Sequence, residues 1–345
     1  MLQSLKARYA QLIATAKGKI AVWFGRKPSP RGLWFSGKHR ESSGALVFAP
    51  FIPPVRAYHL YLPADFRADE PVPLLVMLHG CKQDAKTFAA GTRVNLLADR
   101  ERFVVLYPEQ RRLANPYRCW NWFDPSSHAG HGEAAIVVGM VRAIAQQYNI
   151  DNTRVYVAGI SAGGATASIL TSCYADVFAA GAVHSGLMFQ AASSVAMAQS
   201  TMRHGSQHDP QRAGQDAFDI CGRQVADMPM MVIHGDQDRT VDPVNAEQIM
   251  TQFTVMNRLI AQANNIAFDE TRREQLIAPS GNRYGYQLRD VGEPKLLLRQ
   301  VTIHGLAHAW SGGDSNYPYN DARGPHAIEL MWSFFALHQR RKKSS

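Results

Sequence analysis

The stretch Val155-Tyr156-Val157-Ala158-Gly159-Ile160-Ser161-Ala162-Gly163-Gly164 decides the fold of this chain. Apolar and β-branched residues lead directly into Gly-x-Ser-x-Gly, and small residues follow before a helical pattern resumes. This order predicts a buried strand, a turn too tight for large side chains, and a helix that begins just after Ser161. A serine in such a turn presents its hydroxyl at a helix N-terminus, where it can act as a nucleophile. The rest of the chain must then supply a base, an orienting acid and donors for an oxyanion.

Short apolar segments recur on both sides of this stretch and alternate with helix-like segments. They cover residues 58–62, 74–78, 103–107, 155–158, 179–183, 230–233 and 298–303. Unbroken apolar strands that alternate with helices predict an α/β fold, with a mostly parallel central sheet and helices on both faces. Ligands of such sheets bind beyond the carboxyl ends of the strands. The polar motifs of the chain lie at these ends, in the segments HGC (79–81), GISAG (159–163), HGDQD (234–238) and HGLAH (304–308).

The candidates for the base and the acid follow Ser161 in the chain. In the α/β-hydrolase arrangement the order is serine, then an acid, then a histidine. The acid is Asp236 or Asp238, and the base is His304 or His308. We favour Asp238, which lies farther into its loop, and His308, which lies in a glycine-rich loop. The glycines beside the two histidines argue against a helical pair of metal ligands, so we expect no metal site.

The oxyanion donors and the pocket are expected on the neighbouring loops. The backbone N–H groups of Cys81 and Ala162 are the simplest pair of oxyanion donors. His79 is expected to shape its loop rather than act as a base. We place it at the substrate pocket together with three tryptophans, Trp120, Trp122 and Trp310. Because the two tryptophans of the segment CWNWF would alternate sides in an extended loop, only one of them is expected to face the site. The alternative is that this loop packs onto the domain.

The positive charge of the chain is concentrated at its two ends. The formal net charge is +9, but residues 1–40 hold nine Lys/Arg and no acid, and residues 340–343 add four more basic residues. The remainder has 24 basic and 28 acidic residues, so a nucleic-acid-binding surface is not expected. Apolar residues spaced by three and four in residues 2–23 predict a basic amphipathic helix. It could dock on its own domain, remain disordered, or bind an anionic membrane or granule surface.

These patterns predict a basic N-terminal extension over residues 1–56, a catalytic domain over residues 57–339 and a basic tail over residues 340–345. No apolar run of 18 residues is present, which excludes a typical transmembrane helix. Because Lys17 and Lys19 interrupt the N-terminal apolar residues, we expect no secretory signal and favour a cytoplasmic location. A disulfide between Cys81 and Cys119, on loops at the same end of the sheet, is a hypothesis that a reducing cytosol would disfavour.

Six segments together resemble the polyhydroxybutyrate depolymerase-type esterase family. They are LHGCKQDAKTFAAGTR, FVVLYPEQ, CWNWF, VYVAGISAGGA, HGDQDRTVDP and GLAHAWSGG, in this order. The resemblance covers roughly residues 57–308 and implies an α/β-hydrolase fold without a metal or an organic cofactor. It places the family's catalytic serine, aspartate and histidine on Ser161, Asp238 and His308. Many members are secreted, whereas this chain has a charged N-terminus, no threonine-rich linker and no separate polymer-binding domain.

The resemblance implies a serine esterase that acts on short 3-hydroxyalkanoate (3-hydroxybutyrate) oligomers, on the polymer or on small soluble esters. Because the family also includes feruloyl and acetyl-xylan type carbohydrate esterases, these esters are the nearest alternative. A third hypothesis, which belongs to another functional class, is a non-catalytic binding protein. Its basic N-terminus would attach it to a granule or membrane surface. The sequence therefore predicts ester hydrolysis more firmly than it predicts the ester.

Overall fold

The computed structural model describes residues 29–41, 55–221, 227–292 and 295–341. The predicted amphipathic helix lies outside these ranges, as do residues 42–54 of the predicted extension and residues 342–345 of the basic tail. No helix within the described ranges combines the length and the apolar character that crossing a bilayer requires.

The described residues form twelve strands and nine helices. The strands are β1 (Leu33–Arg40), β2 (Val55–Leu62), β3 (Val72–Leu78), β4 (Val104–Glu109), β5 (Ile150–Ile160), β6 (Ala180–His184), β7 (Met230–Gly235), β8 (Arg272–Ile277), β9 (Tyr286–Val291), β10 (Leu298–Ile303), β11 (Trp310–Ser311) and β12 (Asn320–Asp321). The helices are α1 (Ala85–Thr92), α2 (Val94–Glu101), α3 (Pro125–His128), α4 (Gly132–Gln147), α5 (Ala162–Cys173), α6 (Val195–His204), α7 (Pro210–Cys221), α8 (Val244–Ala263) and α9 (Ala327–Phe335).

Ten of these strands form one sheet in the order β1-β2-β4-β3-β5-β6-β7-β10-β9-β8. The six central strands, from β4 to β10, are parallel to one another. Two strands join in antiparallel fashion at each edge. Strands β5, β7 and β10 precede Ser161, Asp238 and His308. Because these strands are parallel, their carboxyl ends lie on the same side of the sheet. The sheet is thus mostly parallel, as the sequence predicts.

The central strands are buried on both faces because apolar side chains occupy successive positions. In β3, Leu74, Val76 and Leu78 belong to one hydrophobic cluster, whereas Leu75 and Met77 belong to the other. Helices α4, α5, α7 and α8 contribute to the first cluster, and α1, α2 and α9 contribute to the second. Full burial of each such side chain stabilises the fold by about 1.5–3 kcal/mol. The predicted α/β-hydrolase fold, with helices on both faces of the sheet, is confirmed.

The sheet begins before the predicted domain boundary at residue 57. Strand β1 pairs with β2 along its full length, from Leu33 opposite Leu62 to Arg40 opposite Val55. The Trp34 ring packs 5.3 Å from the ring of His59 and 5.4 Å from that of Tyr107. Residues 33–40 therefore belong to the sheet, and the prediction that all of residues 1–56 form a separate extension is wrong for this part.

The C-terminal boundary is also displaced. Arg340, which the sequence assigns to a basic tail, donates its backbone N–H to the carbonyl of Thr153 at 2.9 Å. Its guanidinium donates to the carbonyls of Asn152 and Asp176. The domain therefore includes Arg340, because its side chain binds carbonyl groups of β5 and of the segment between α5 and β6.

The two long segments that interrupt the parallel sheet become regular elements. Residues 187–228 contain α6 and α7, and α7 packs against α5 and α8 in the helix layer. Residues 262–297 contain β8 and β9, which pair antiparallel and continue the sheet beyond β10. The sequence marks both segments as insertions that could cover the site or form a flap, and this stays a prediction. Their described parts extend the helix layer and the sheet.

Candidate active site

Ser161 occupies a strained turn between β5 and α5. Its backbone has φ 56° and ψ −123°, a conformation that costs a residue with a side chain about 1–3 kcal/mol. The flanking glycines make this turn possible. A Cβ on Gly159 would lie 2.3 Å from the carbonyl oxygen of Gly163, and a Cβ on Gly163 would lie 2.2 Å from that of Leu78. The turn at Ser161 is therefore packed directly against the end of β3.

Asp238 and His308 are joined by a hydrogen bond. Nδ1 of His308 donates to Oδ2 of Asp238 at 2.7 Å, because a carboxylate can only accept. Oδ1 of Asp238 accepts the backbone N–H groups of Thr240 and Val241, each at 2.9 Å. Burial raises the pKa of the Asp238 carboxyl, but the hydrogen bonds from His308 and Val241 outweigh it, so the pKa lies below its ordinary value. The carboxylate is thus ionised, and it leaves Nε2 of His308 as the basic nitrogen.

The other two candidates form a separate and more exposed pair. Asp236 accepts the backbone N–H of Gly305 at 2.7 Å and lies 3.1 Å from Nδ1 of His304. The side chains of Asp236 and His304 are 34% and 45% exposed, whereas that of Asp238 is fully buried. The structure therefore combines Asp238 with His308 and Asp236 with His304, which makes Asp236 and His304 a link between the two loops.

The loop after β3 lies beside the turn at Ser161. A Cβ on Gly80 would contact the backbone oxygen and the side chain of Ile160, each at 3.4 Å. His79 is fully buried, donates Nδ1–H to the carbonyl of Gly80 at 2.8 Å and accepts the backbone N–H of Gln110 at Nε2. Burial lowers the pKa of His79, so its ring is neutral. These contacts agree with a residue that shapes the loop.

A disulfide joins this loop to the loop after β4. Cys81 is bonded to Cys119, as the sequence hypothesis states. The second loop is also held by Glu133 of α4, which accepts the backbone N–H of Asn121 at 2.7 Å and pairs with Arg56 at 3.1 Å. Gln110 donates to Glu133 and to the carbonyl of Cys119. The sequence does not reveal this buried network, because isolated Arg, Gln and Glu residues carry no readable signal.

The three tryptophans assigned to the pocket are core residues. Trp120, Trp122 and Trp310 have exposed fractions of 0%, 5% and 1%. Trp120 and Trp122 belong to the same hydrophobic cluster, so they do not alternate between two sides as expected. The physical reason is that the loop turns at Trp122 rather than continuing as an extended segment. None of the three presents an exposed wall to a ligand, and their contact with substrate stays a prediction.

One residue of this region was not identified from the sequence. The carbonyl oxygen of His184, the last residue of β6, accepts the backbone N–H of Ser161 at 2.9 Å. The sequence nevertheless contains a signal for His184. A histidine and a glycine lie at the end of β7 and directly after β3 and β10, and His184 and Gly186 lie in the same way at the end of β6. In the described part of the chain, no group of three or more His, Cys, Asp or Glu residues is arranged to hold a metal ion.

Comparison with known proteins places this site in a family. Residues 56–277 match the family described as "Esterase PHB depolymerase". The chain is 35% identical over 196 residues to poly(3-hydroxyalkanoate) depolymerase C of Paucimonas lemoignei, which is 56% of this chain and 47% of that protein. It is 30% identical over 258 residues to feruloyl esterase B of Neurospora crassa, which is 72% of this chain and 86% of that protein. The match thus spans about half the length of the depolymerase.

Solved structures agree on the fold. Acetyl xylan esterase from Aspergillus awamori superposes with a TM-score of 0.65 at 18% identity, covering 82% of this chain and 94% of that one. The feruloyl esterase module from Clostridium thermocellum superposes with a TM-score of 0.52 at 12% identity, covering 90% of each chain. The family match, the related sequences and the fold agree. The chain therefore belongs to the PHB depolymerase family of esterases and is a carboxylic ester hydrolase with an α/β-hydrolase fold.

Proposed function

We propose that Ser161, His308 and Asp238 form the catalytic triad of this esterase. The observation that carries the proposal is the 2.7 Å hydrogen bond from Nδ1 of His308 to the buried Asp238 carboxylate. It fixes the histidine tautomer in which Nε2 can accept a proton. The strained turn at Ser161 and the position of all three residues after neighbouring parallel strands support the same assignment.

In the proposed reaction, Nε2 of His308 takes the proton of the Ser161 hydroxyl while Oγ attacks the ester carbonyl. The tetrahedral intermediate collapses, the imidazolium protonates the leaving alcohol, and an acyl-enzyme remains. Water then attacks the acyl group, with His308 as the base, and Ser161 recovers its proton as the acid leaves. The Asp238 carboxylate stabilises the imidazolium in both halves of the reaction.

The backbone N–H groups of Ala162 and Cys81 are the proposed oxyanion donors. Ala162 is the first residue of α5, so its N–H lies at the positive end of the helix dipole. Cys81 follows Gly80, where an added Cβ would lie 3.4 Å from Ile160, the residue before Ser161. Removal of one such donor costs about a hundred- to a thousand-fold in rate in other hydrolases. The disulfide to Cys119 restrains the loop that carries the second donor.

The assignment of the nucleophile is tested by Ser161→Ala. Hydrolysis of p-nitrophenyl butyrate should fall by about 10⁴-fold or more, because the other groups cannot replace the attacking oxygen. A fluorophosphonate probe should label the parent protein once and the variant not at all. Ser333→Ala, an exposed serine of α9, is the matched control and should behave like the parent. Activity retained by Ser161→Ala would refute the proposal.

For the substrate, we propose 3-hydroxyalkanoate esters, in particular short 3-hydroxybutyrate oligomers. The support is the similarity to a poly(3-hydroxyalkanoate) depolymerase at 35% identity. The second candidate is a feruloyl or acetyl-xylan type ester, and the match to feruloyl esterase B over 86% of that protein favours it. A panel of 3-hydroxybutyrate trimer, methyl ferulate and acetylated xylan separates the two. A kcat/KM on the trimer at least tenfold above the others supports the first, and the reverse order refutes it.

A further inference from the structure

His184 lies between the strands that lead to Ser161 and to Asp238. It ends β6, where it pairs with Ile160 of β5 on one side and with Ile233 of β7 on the other. The side chain is fully buried, and the backbone carbonyl accepts the N–H of Ser161 at 2.9 Å. The main chain of His184 therefore helps to hold the nucleophile turn.

The side chain of His184 reaches the loop that carries His308. Its Nε2 accepts the backbone N–H of Ser311, three residues beyond His308, at 3.1 Å. Since an N–H can only donate, the ring proton is on Nδ1, which lies 3.1 Å from the hydroxyl oxygen of Ser185. The ring also stacks on Trp310, with 5.2 Å between centroids and 22° between planes. One residue thus contacts the two chain segments that must meet in the reaction.

The ring is held in its neutral form. Burial lowers the pKa of His184 to about 3; a positive charge on His234 or His308 would act in the same direction, and the Asp238 carboxylate acts in the opposite one. The Nε2 lone pair is therefore available to Ser311 at any pH near neutrality. A second imidazolium beside His308 would also oppose proton transfer from the serine, and a neutral ring avoids that repulsion.

We propose that His184 is a positioning residue. Its Nε2 accepts the N–H of Ser311 and thereby fixes the position of the His308 loop relative to Ser161. The proposal rests on the proposed triad. If His184 served only for packing, its aromatic ring would be needed but its hydrogen-bond acceptor, Nε2, would not. The positioning role requires the acceptor, because a displacement of about 1 Å in a reacting group can lower the rate about a hundredfold.

Two substitutions separate the ring from the acceptor. His184→Phe keeps a flat ring against Trp310 and removes the acceptor, whereas His184→Gln places its amide oxygen near the position of Nε2. We expect His184→Phe to lower kcat on p-nitrophenyl butyrate by about 10–100-fold with KM within about threefold, and His184→Gln to restore most of the loss. Each kcat is divided by the number of sites that a fluorophosphonate probe titrates, so that inactive protein does not count.

The matched control is His338→Phe. His338 is also buried, burial also lowers its pKa to about 3, and it also packs on an aromatic ring, that of Phe334 at 4.5 Å. Its carbonyl accepts from the hydroxyl of Tyr156, and its segment continues to Arg340, which binds the start of β5, away from Ser161. This variant should keep the parent kcat. If His184→Phe does not fold, His184→Asn replaces it, because its shorter amide ends near the position of Nδ1 and cannot reach Ser311.

The outcomes are distinct. If Ser161→Ala is inactive and His184→Phe matches the parent kcat per titrated site, the positioning role is overturned and the triad stands. A loss that His184→Gln shares in full also overturns it, because the acceptor would then be irrelevant. If Ser161→Ala retains activity, the triad is wrong and the role of His184 falls with it. A loss confined to His184→Phe or His184→Asn, with rescue by His184→Gln, supports the proposal.

Discussion

At the scale of single residues, Asp238 is held by more than its contact with His308. Two backbone N–H groups, from Thr240 and Val241, share Oδ1, and His308 uses Oδ2. An asparagine at this position would place its oxygen on the two N–H groups and turn its NH₂ toward His308. Nδ1 of His308 would then have to accept, so Nε2 would carry the proton and could not act as the base.

We therefore expect Asp238→Asn to lower kcat on p-nitrophenyl butyrate by about 10³–10⁴-fold while the protein remains folded. The matched control is Asp236→Asn on the same loop, since Asp236 bonds Gly305 and His304 rather than His308. The control should keep kcat within about threefold of the parent, as expected for a group outside the reaction. Equal losses in the two variants would contradict the assignment of the acid.

Glu109 provides a prediction for acid stability. The contact with His59, whose Nε2 lies 3.6 Å from Oε2 of Glu109, lowers the pKa of the Glu109 carboxyl to about 2, against the effect of burial, and the hydrogen bond from the N–H of Ala85 contributes in the same direction. Because the folded pKa is depressed, this stabilisation is present above the ordinary glutamate pKa and is lost as the pH falls toward 2.

Relative to Glu109→Gln, the free energy of unfolding of the parent should decrease by about 1–3 kcal/mol between pH 5 and pH 2. Urea unfolding at several pH values measures this difference. The side chain of Glu109 is 24% exposed, so solvent screening places the expected value in the lower part of this range. Parallel stability curves for the two proteins would show that the carboxylate is not stabilised in the folded state.

At the scale of elements, the loop after β4 is fixed by both covalent and polar contacts. The disulfide closes a loop of 38 residues, for which the loss of chain entropy on cross-linking corresponds to about 4 kcal/mol. We expect Cys119→Ser to lower the free energy of unfolding by about 2–4 kcal/mol and to lower kcat, because Cys81 carries a proposed oxyanion donor. Urea unfolding and ester hydrolysis measure the two effects.

Thiol titration of the unfolded protein provides the control for this prediction. Two thiols should react before reduction and four after it, and reducing agent should not affect the stability of Cys119→Ser. Four reactive thiols before reduction would contradict the disulfide. Disulfides form in oxidising compartments and are rare in the cytosol. The cytoplasmic location stays a prediction, and detection of the disulfide in the isolated protein would argue against it.

At the scale of the whole molecule, the domain starts with β1. The hydroxyl of Tyr61 accepts the N–H of Gly32 at 2.7 Å, and Trp34 packs on the rings of His59 and Tyr107. We expect deletion of residues 1–41 to lower the free energy of unfolding by about 3 kcal/mol, because it uncovers these rings and the edge of β2. Deletion of residues 1–28 should leave both stability and ester turnover close to those of the parent.

The same two deletions test the proposed contact with an anionic surface. If residues 1–28 bind such a surface, their removal should weaken binding to vesicles that contain anionic lipid and leave hydrolysis of soluble esters unchanged. Unchanged vesicle binding after this deletion would refute the contact. If the shorter deletion destabilised the fold as much as the longer one, the start of the domain at β1 would be wrong.

Sequence patterns predict the centre of this molecule better than its edges. Segments such as LLVML (74–78) are buried on both faces, so their composition alone identifies a central parallel strand. Strands β1 and β8 escaped detection because most of their side chains are exposed, which leaves no apolar alternation to read.

The candidate site likewise contains residues that sequence patterns identify and residues that they miss. The choice of Asp238 over Asp236 could be made from loop position, since a side chain must extend away from its strand to reach another loop. The burial of both Trp120 and Trp122 matches the alternative that this loop packs onto the domain, and sequence alone could not choose it because the loop is held by contacts such as that of Asn121 with Glu133, 12 residues away. His184 was overlooked because its contacts, to Ser161 and to Ser311, are with backbone atoms far away in the sequence.

The open edges of the ten-stranded sheet have a consequence for how the protein behaves at high concentration. Strand β8 ends the described sheet with Arg272, Arg273 and Glu274 exposed in succession, and β1 ends it on the other side with Lys38 and Arg40 exposed. A second copy that added a strand to either edge would have to remove these charged side chains from water, which opposes edge-to-edge pairing of the sheets.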